Sequence, residues 1–141
     1  MPRLTTPYVH NTPILRIAIT GPRRRFVIAG VVDSGADRSL LPSSVAAALG
    51  FPEADLAPTP EGSGGAGNMW FPTWELPYAI KAHVIVPFPQ PRGVELWGPE
   101  IEMKPEWAKD TVALFGRADF FATFIVTFDQ MASPVFHLDH E

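Results

Sequence analysis

The sequence contains no cysteine, which excludes disulfide bonds and thiolate metal sites anywhere in its 141 residues. It also lacks an apolar run long enough to cross a membrane, and its first residues lack the apolar stretch of a secretory signal. These absences predict a cytoplasmic protein without a membrane span. We expect residues 1–141 to form a single domain, because a chain of this length fits one hydrophobic core.

Positive charge is also scarce. The chain has 11 Lys and Arg against 15 Asp and Glu, for a net charge of −4. Proteins that bind nucleic acid usually carry a basic stripe or patch. The basic run at 23–25 follows Gly21-Pro22 and separates two apolar segments, which is typical of a solvated turn. We therefore expect no nucleic-acid partner.

Patterns of long helices are missing as well. The chain contains 16 prolines, many of them within 52–60, 72–77 and 87–105. Proline disfavours helix interiors and favours loops and short strands. We therefore expect the segment 87–110 to be loop-like. One short helix is predicted at 45–49, with Ser43 and Ser44 as capping candidates and Gly50 ending it.

Short apolar segments predict strands instead. Leu15, Ile17 and Ile19 alternate with other residues, as in a half-buried strand. Residues 26–32 are mostly apolar on both faces, which predicts an interior strand covered on each side. Further strands are predicted within 80–86, 111–115, 124–128 and 135–138, the last two as a hairpin, with a helical turn at 117–122. Many short strands with little helix favour a closed all-β domain.

The candidate catalytic residues are Asp33, Ser34 and Gly35, which follow the apolar strand 26–32. By themselves they are typical of a turn, because turns favour all three residue types. Their position after a buried strand favours a function, since a carboxylate there is partly desolvated. Gly35 also permits close approach of another backbone. From the residues alone, the turn and the catalytic motif both stay open.

Two segments resemble the retropepsin family, the single-domain aspartic proteases of retroviruses and their cellular and bacterial relatives. Residues 31–37 resemble its signature of two apolar residues followed by Asp-Thr/Ser-Gly-Ala-Asp. Residues 113–117 are similar to its apolar pair before Gly-Arg, and 118–121 to the start of the helix that follows. The glycine-rich stretch 62–67 falls where the family places its flap, although a flexible linker is an equal interpretation. The resemblance spans roughly residues 14–138.

The resemblance implies a retropepsin-like closed barrel of short strands with one or two short helices. It implies that Asp33 is the catalytic aspartate and that the Ser34 hydroxyl braces two active-site loops across a dimer. It implies no metal and no cofactor. The residues that it implies for substrate binding are Gly35, Ala36, Asp37, Gly64, Gly65, Ala66 and Gly67. Two features depart from the family: Arg38 replaces a second acidic residue found in some members, and the segment 87–110 is long.

The chain contains one Asp-Ser-Gly motif, whereas this chemistry needs two carboxylates, one charged and one protonated. Two carboxylates ~4 Å apart at an effective dielectric of ~20 repel by ~4 kcal/mol, which is about three pKa units. The pair therefore shares one proton over a wide pH range. The second Asp33 has to come from a second chain, so we expect a homodimer. The predicted activity is that of an aspartic endopeptidase acting on peptide or protein substrates.

Two alternatives stay open. The chain could be a non-catalytic retropepsin-fold module that dimerises or binds peptides, because fold does not imply function. It could also be an unrelated small β domain in which both segments are coincidental turns. Trp74, Trp97 and Trp107 are more typical of buried anchors than of a cleft. His137 and His140 are expected in a frayed terminus rather than in a metal site.

Overall fold

The computed structural model describes residues 1–60, 71–87, 94–131 and 134–141. Within these ranges the chain forms short strands, two α-helices and a 3-10 turn at Glu53–Asp55. The strands are β1 (Arg3–Pro7), β2 (Ile14–Thr20), β3 (Arg25–Val32), β4 (Leu40–Pro42), β5 (Ala57–Pro58), β6 (Trp74–Glu75), β7 (Ile80–Ile85), β8 (Leu96–Met103), β9 (Glu106–Ala108), β10 (Ala113–Phe115), β11 (Ile125–Asp129) and β12 (Val135–Asp139). The helices are α1 (Ser43–Leu49) and α2 (Phe120–Thr123).

The strands pair in two sheets. A nine-stranded sheet has the order β5-β6-β9-β4-β10-β3-β2-β7-β8, and a three-stranded sheet has the order β1-β12-β11. The pairs β3–β10 and β4–β9 are parallel, and the other pairs are antiparallel. The predicted all-β class is confirmed, and the hydrogen-bonded order runs linearly from β5 to β8.

The hairpin β2–β3 forms the centre of the large sheet. Leu15, Ile17 and Ile19 of β2 are buried, as their alternation predicts. The prediction that β3 is covered on both faces is wrong for its first half, because Val27 is 38% exposed and Ala29 is also exposed. A strand tolerates isolated apolar residues on a solvated face, so an apolar run does not by itself prove burial.

The prediction that 87–110 is loop-like is wrong for much of that segment, which contains β8 and β9. In β8, Ile101 and Met103 are buried whereas Glu100 and Glu102 are exposed, which is the alternation of a half-buried strand. The prolines in this segment favoured the prediction of a loop over that of a strand. Pro99 is tolerated because β8 is the last strand of the sheet, where one side of the backbone needs no partner.

Helix α1 begins two residues earlier than predicted. Its N-cap is Pro42, which makes no side-chain capping bond, so the predicted serine cap is wrong. The predicted end at Gly50 is confirmed, since Gly50 has a φ of 90° and its N–H donates to Ala46 and Ala47 oxygens. A left-handed backbone of this kind favours glycine.

The three-stranded sheet joins the two ends of the chain. Phe136 and Leu138 of β12 are fully buried, so the expected frayed terminus is wrong. Arg3 donates to both carboxylate oxygens of Asp139, at 2.8 and 2.9 Å. The His140 ring packs against Trp97 with 5.0 Å between centroids.

Most of the buried side chains form one core that both sheets share. A second, smaller cluster contains Leu40, Ala108 and Leu114, with Val31 and Phe71 packed against it. Among the described residues, the helices span seven and four residues, and none is long and apolar enough to cross a membrane.

Candidate active site

The two motif segments meet because they follow neighbouring parallel strands. Strands β3 and β10 pair with Val32 opposite Phe115, so both end at the same edge of the sheet. The N–H of Asp33 then donates to the Phe115 carbonyl at 3.0 Å, which extends the pairing into the first motif. The loop after β3 and the loop after β10 therefore start side by side.

Asp33 lies in a tight turn that fixes its carboxylate. The Gly35 N–H donates to Asp33 Oδ1 at 2.8 Å, and the Ala36 N–H donates to the Asp33 carbonyl at 3.2 Å. A Cβ atom on residue 35 would lie 3.2 Å from Asp33 Oδ1, so glycine leaves the carboxylate the room that it needs. Asp33 Oδ2 has no hydrogen-bond partner among the residues that the structure describes. The half-buried carboxylate thus has one fixed oxygen and one available for a ligand.

The loop 33–37 is held against the segment 116–118 along its length. The N–H of Arg117 donates to Ala36 O and that of Ala118 to Asp37 O, both at 2.9 Å. The Arg117 guanidinium also pairs with the Asp37 carboxylate. Asp37 therefore orients the loop and stays exposed beside Asp33.

Gly116 makes this close approach possible. A Cβ atom at residue 116 would lie 2.6 Å from both the carbonyl carbon and the oxygen of Arg38. Real Cβ atoms do not come so close to backbone, so a side chain at this position would push the two loops apart. Position 116 in the second motif therefore requires glycine for steric reasons.

A buried pair of polar side chains, Ser39 and Asp119, lies behind the loops and was missed by the sequence analysis. The Ser39 hydroxyl donates to Asp119 Oδ1 at 2.5 Å and accepts from the Gly116 N–H at 2.9 Å. Asp119 also accepts from the Phe120 N–H at 2.7 Å and so caps α2. Burial raises the pKa of Asp119, while the bonds from Ser39 and Phe120 act in the opposite direction. The only signal in the sequence is that each polar residue directly precedes a pair of apolar ones.

A small apolar cluster adjoins the candidate catalytic turn, and its members other than Val31 and Phe71 are buried. Val31, Leu114 and Leu40 face one another on β3, β10 and β4, in one row across the sheet. Ala108 completes the small cluster, and Phe71 packs on it. This row ends two residues before Asp33, so it places apolar side chains next to the carboxylate.

The remaining predicted residues are distributed as follows. Ser34 and Gly35 are exposed in the turn, and Ala36 is buried. Within the described part of one chain, the Ser34 hydroxyl makes no hydrogen bond. The expected substrate-binding positions Gly64, Gly65, Ala66 and Gly67 lie outside the described residues.

The described tryptophans and several charged side chains lie apart from the candidate catalytic turn. Trp107 is fully buried, as expected for an anchor. Trp97 stacks on Phe124 with 5.8 Å between the ring centroids. Lys109 lies 6.0 Å above the ring of Trp74. In the ranges that the structure describes, no group of three His, Asp or Glu side chains is arranged to hold a metal ion.

Comparisons with known proteins bear on the fold. Neither a family model nor a curated protein matches the sequence. Among solved structures, the crystal structure of a retropepsin-like aspartic protease from Rickettsia conorii is similar, with a TM-score of 0.62 over 99% of this chain and 91% of that chain. The sequence identity is 15%, so the similarity concerns the fold. The chain has the retropepsin-like all-β fold.

Proposed function

We propose that this chain is one subunit of a homodimeric aspartic endopeptidase in which Asp33 of each subunit supplies one catalytic carboxylate. The observation that carries the proposal is the turn at the end of β3. It fixes one oxygen of Asp33 with the Gly35 N–H and leaves the other without a partner among the described residues. A carboxylate oriented in this way and available to water is what the reaction requires.

The mechanism follows from the repulsion between two such carboxylates. When two copies of Asp33 lie together, one stays ionised and the other keeps the shared proton. The ionised carboxylate removes a proton from a water molecule, which attacks the scissile carbonyl carbon. The protonated carboxylate donates a hydrogen bond to the carbonyl oxygen and stabilises its developing charge. Proton transfer to the amine then releases the two products, without a covalent intermediate.

The contacts around the turn support a role in catalysis rather than in chain reversal alone. A simple turn does not need bonds to a second loop. Here Asp33, Ala36 and Asp37 are each bonded to the segment 115–118. Such bonds limit the movement of the carboxylate, and catalytic groups require this precision.

The substrate class follows from the surroundings of Asp33. Val31 is partly exposed two residues before Asp33 and belongs to the small apolar cluster, which favours apolar side chains next to the scissile bond. Ser34, Gly35 and Asp37 are exposed in the loop 33–37, which can offer backbone groups to an extended peptide. The proposed substrate is therefore an extended peptide segment with apolar residues at the cleavage site.

The experiment that tests the proposal is digestion of an unbiased peptide library across a wide pH range. The wild type is compared with Asp33→Asn and with Asp129→Asn, which removes an exposed carboxylate from β11 in the other sheet. We expect cleavage by the wild type and by Asp129→Asn, unchanged by EDTA, and none by Asp33→Asn. Cleavage by Asp33→Asn at the wild-type rate would show that the site is assigned wrongly. A folded dimeric wild type that cleaves nothing would favour the non-catalytic peptide-binding module.

A further inference from the structure

Arg38, directly after the loop 33–37, joins three separate parts of the chain. Its Nε and Nη2 donate to the Lys104 carbonyl at 3.2 and 2.9 Å, in the connection between β8 and β9. Its Nη1 donates to Glu75 of β6 at 3.1 Å and to Glu106 of β9 at 3.4 Å. The side chains of Arg38, Glu75 and Glu106 are 29%, 33% and 7% exposed, so the group is largely shielded from water.

These contacts lie on the same sheet face as the apolar row beside Asp33. Glu106 is opposite Leu40 in the pairing of β4 with β9. Trp74 is opposite Trp107, which places Glu75 across from Glu106. The two carboxylates therefore continue the row of Val31, Leu114 and Leu40, at the end away from Asp33.

Glu75 also belongs to a segment that covers this row. Residues 71–75 include β6, and Phe71 at their start packs on the cluster of Leu40, Ala108 and Leu114. Arg38 is thus bonded to the end of the segment whose beginning packs on the small apolar cluster. The loop that carries Asp33 and the segment 71–75 form two sides of one surface, and a single guanidinium connects them.

An arginine suits this position because its planar group has several donors at fixed angles. It can reach a backbone carbonyl on one side and two carboxylates on the other at the same time. A lysine would keep the charge but could not reproduce this set of bonds. Without Arg38, Glu75 would lose this link to the loop that carries Asp33.

We propose that Arg38, through its bond to Glu75, is a positioning residue that sets the distance between the segment 71–75 and the loop carrying Asp33, and so controls peptide affinity rather than the chemical step. This inference rests on the proposed function for its kinetic part. Its structural part is that Arg38 limits the motion of the loop 33–37 in the free protein.

The kinetic test is a double-mutant cycle with Arg38→Gln, Glu75→Gln and the double variant, on a peptide that the wild type cleaves. We expect Arg38→Gln to raise KM about fivefold, which corresponds to about 1 kcal/mol, with kcat within about twofold. The double variant should resemble Arg38→Gln, because both changes remove the same bond. Lys81→Gln is the control, since it removes the Lys81–Glu100 ion pair at the far end of the same sheet. It should leave KM unchanged.

Amide hydrogen exchange provides a readout that does not depend on catalysis. The N–H groups of Arg117 and Ala118 donate to the loop 33–37, so their exchange should become faster in Arg38→Gln and stay the same in Lys81→Gln. Unchanged exchange, independent KM effects of the two single variants, or a fall in kcat at constant KM would each overturn the inference. If the wild type cleaves no peptide, the proposed function fails, and the exchange rates alone decide the role of Arg38. If Arg38→Gln does not fold, Glu75→Gln tests the same bond from its other side, with the same measurements of KM and amide exchange.

Discussion

At position 33, a single oxygen of the carboxylate is held by a backbone N–H, and this bond comes from the residue two positions later. An asparagine could accept the same bond through its own Oδ1 atom. The turn, its bonds to Phe115 and the packing of Val32 depend on backbone and apolar groups. A substitution at residue 33 can therefore remove the carboxylate and still keep the turn and its packing.

We expect Asp33→Asn to abolish peptide hydrolysis and to preserve the fold and the dimer. The variant has no carboxylate that can accept a proton from water, so the rate should fall at least about a hundredfold. Loss of repulsion between the two carboxylates should keep the dimer as stable as the wild type or make it more stable. Cleavage rates, thermal melting and sedimentation together check this prediction.

The comparison for that variant is Asp37→Asn. Its partner Arg117 is 56% exposed and Asp37 is 86% exposed, so the pair contributes little to stability. We expect weaker peptide binding and residual cleavage. If Asp37→Asn were inactive and Asp33→Asn active, Asp37 rather than Asp33 would be the catalytic carboxylate.

We expect Ser39→Ala to destabilise the protein by about 1–3 kcal/mol. The change leaves the buried N–H of Gly116 without its acceptor and removes a donor from the buried carboxylate of Asp119. Urea unfolding measures the effect. Ser44→Ala is the control, because Ser44 is exposed on α1 and its change should stay within about 0.5 kcal/mol. Equal effects of the two variants would contradict the role of the buried pair.

At the scale of the elements, the short helix α2 depends on one buried carboxylate. Asp119 is its N-cap and accepts the Phe120 N–H. The same side chain bonds Ser39, which directly precedes β4. The helix cap and the loop after β3 therefore share one acceptor, and its charge state affects both.

The raised pKa of Asp119 predicts how stability changes with pH. Between the ordinary carboxyl pKa of about 4 and this raised value, the native state binds a proton that the unfolded chain has released. The contribution of Asp119 to stability therefore decreases as pH rises through this window. Asp119→Asn should remove the decrease and keep the hydrogen bonds, because Asn Oδ1 can accept both. Urea unfolding at several pH values checks this, and an unchanged slope would contradict it.

The Arg3–Asp139 pair acts with the opposite sign and at lower pH. The bidentate hydrogen bond from Arg3 lowers the pKa of Asp139. Its stabilisation is therefore complete above the ordinary carboxyl range and is lost as pH falls below it. Asp119 changes the stability above about pH 4, and Asp139 changes it below that pH. The comparison of Asp119→Asn with the wild type above about pH 4 therefore does not include the effect of Asp139.

Sequence reasoning succeeded where a local pattern decides the structure. The alternation in β2, the hairpin of β11 with β12 and the glycine that ends α1 are all local. It failed for β8, because the prolines that indicate a loop are tolerated on an edge strand, and edges depend on the order of distant strands. It also missed the Ser39–Asp119 pair, because the pairing of β10 with both β3 and β4 brings residues 80 positions apart into contact.

At the scale of the whole molecule, one chain contributes one Asp33 to the proposed dyad and one exposed Ser34 beside it. Neither residue completes its proposed contacts within the described part of a single chain. The proposed site therefore needs a second copy whose loop 33–37 faces the first across a twofold axis. The activity of a mixture should then depend on how many dimers contain two intact copies of Asp33.

We expect an equal amount of Asp33→Asn subunits to inhibit the wild type by subunit exchange. In a 1:1 mixture that exchanges fully, about a quarter of the dimers contain two intact copies of Asp33, against about half without exchange. Activity should therefore fall to about half after mixing. Additivity of the two activities, or full activity in a protein shown to be monomeric by sedimentation, would exclude a shared dyad.

The pairing of β1 with β12 also determines when each part of the protein can fold. Arg3 and Asp139 are 136 positions apart, so a nascent chain on the ribosome carries β1 without its partner until residues 135–139 emerge. Strands β2 and β3 pair across a short turn and can form early, and β10 completes the surroundings of Asp33 before β11 is made. We expect pulse-labelled hydrogen exchange to show protection in β2 and β3 before β1 and β12. The loop bearing Asp33 would then be assembled while β1 and β12 are still apart.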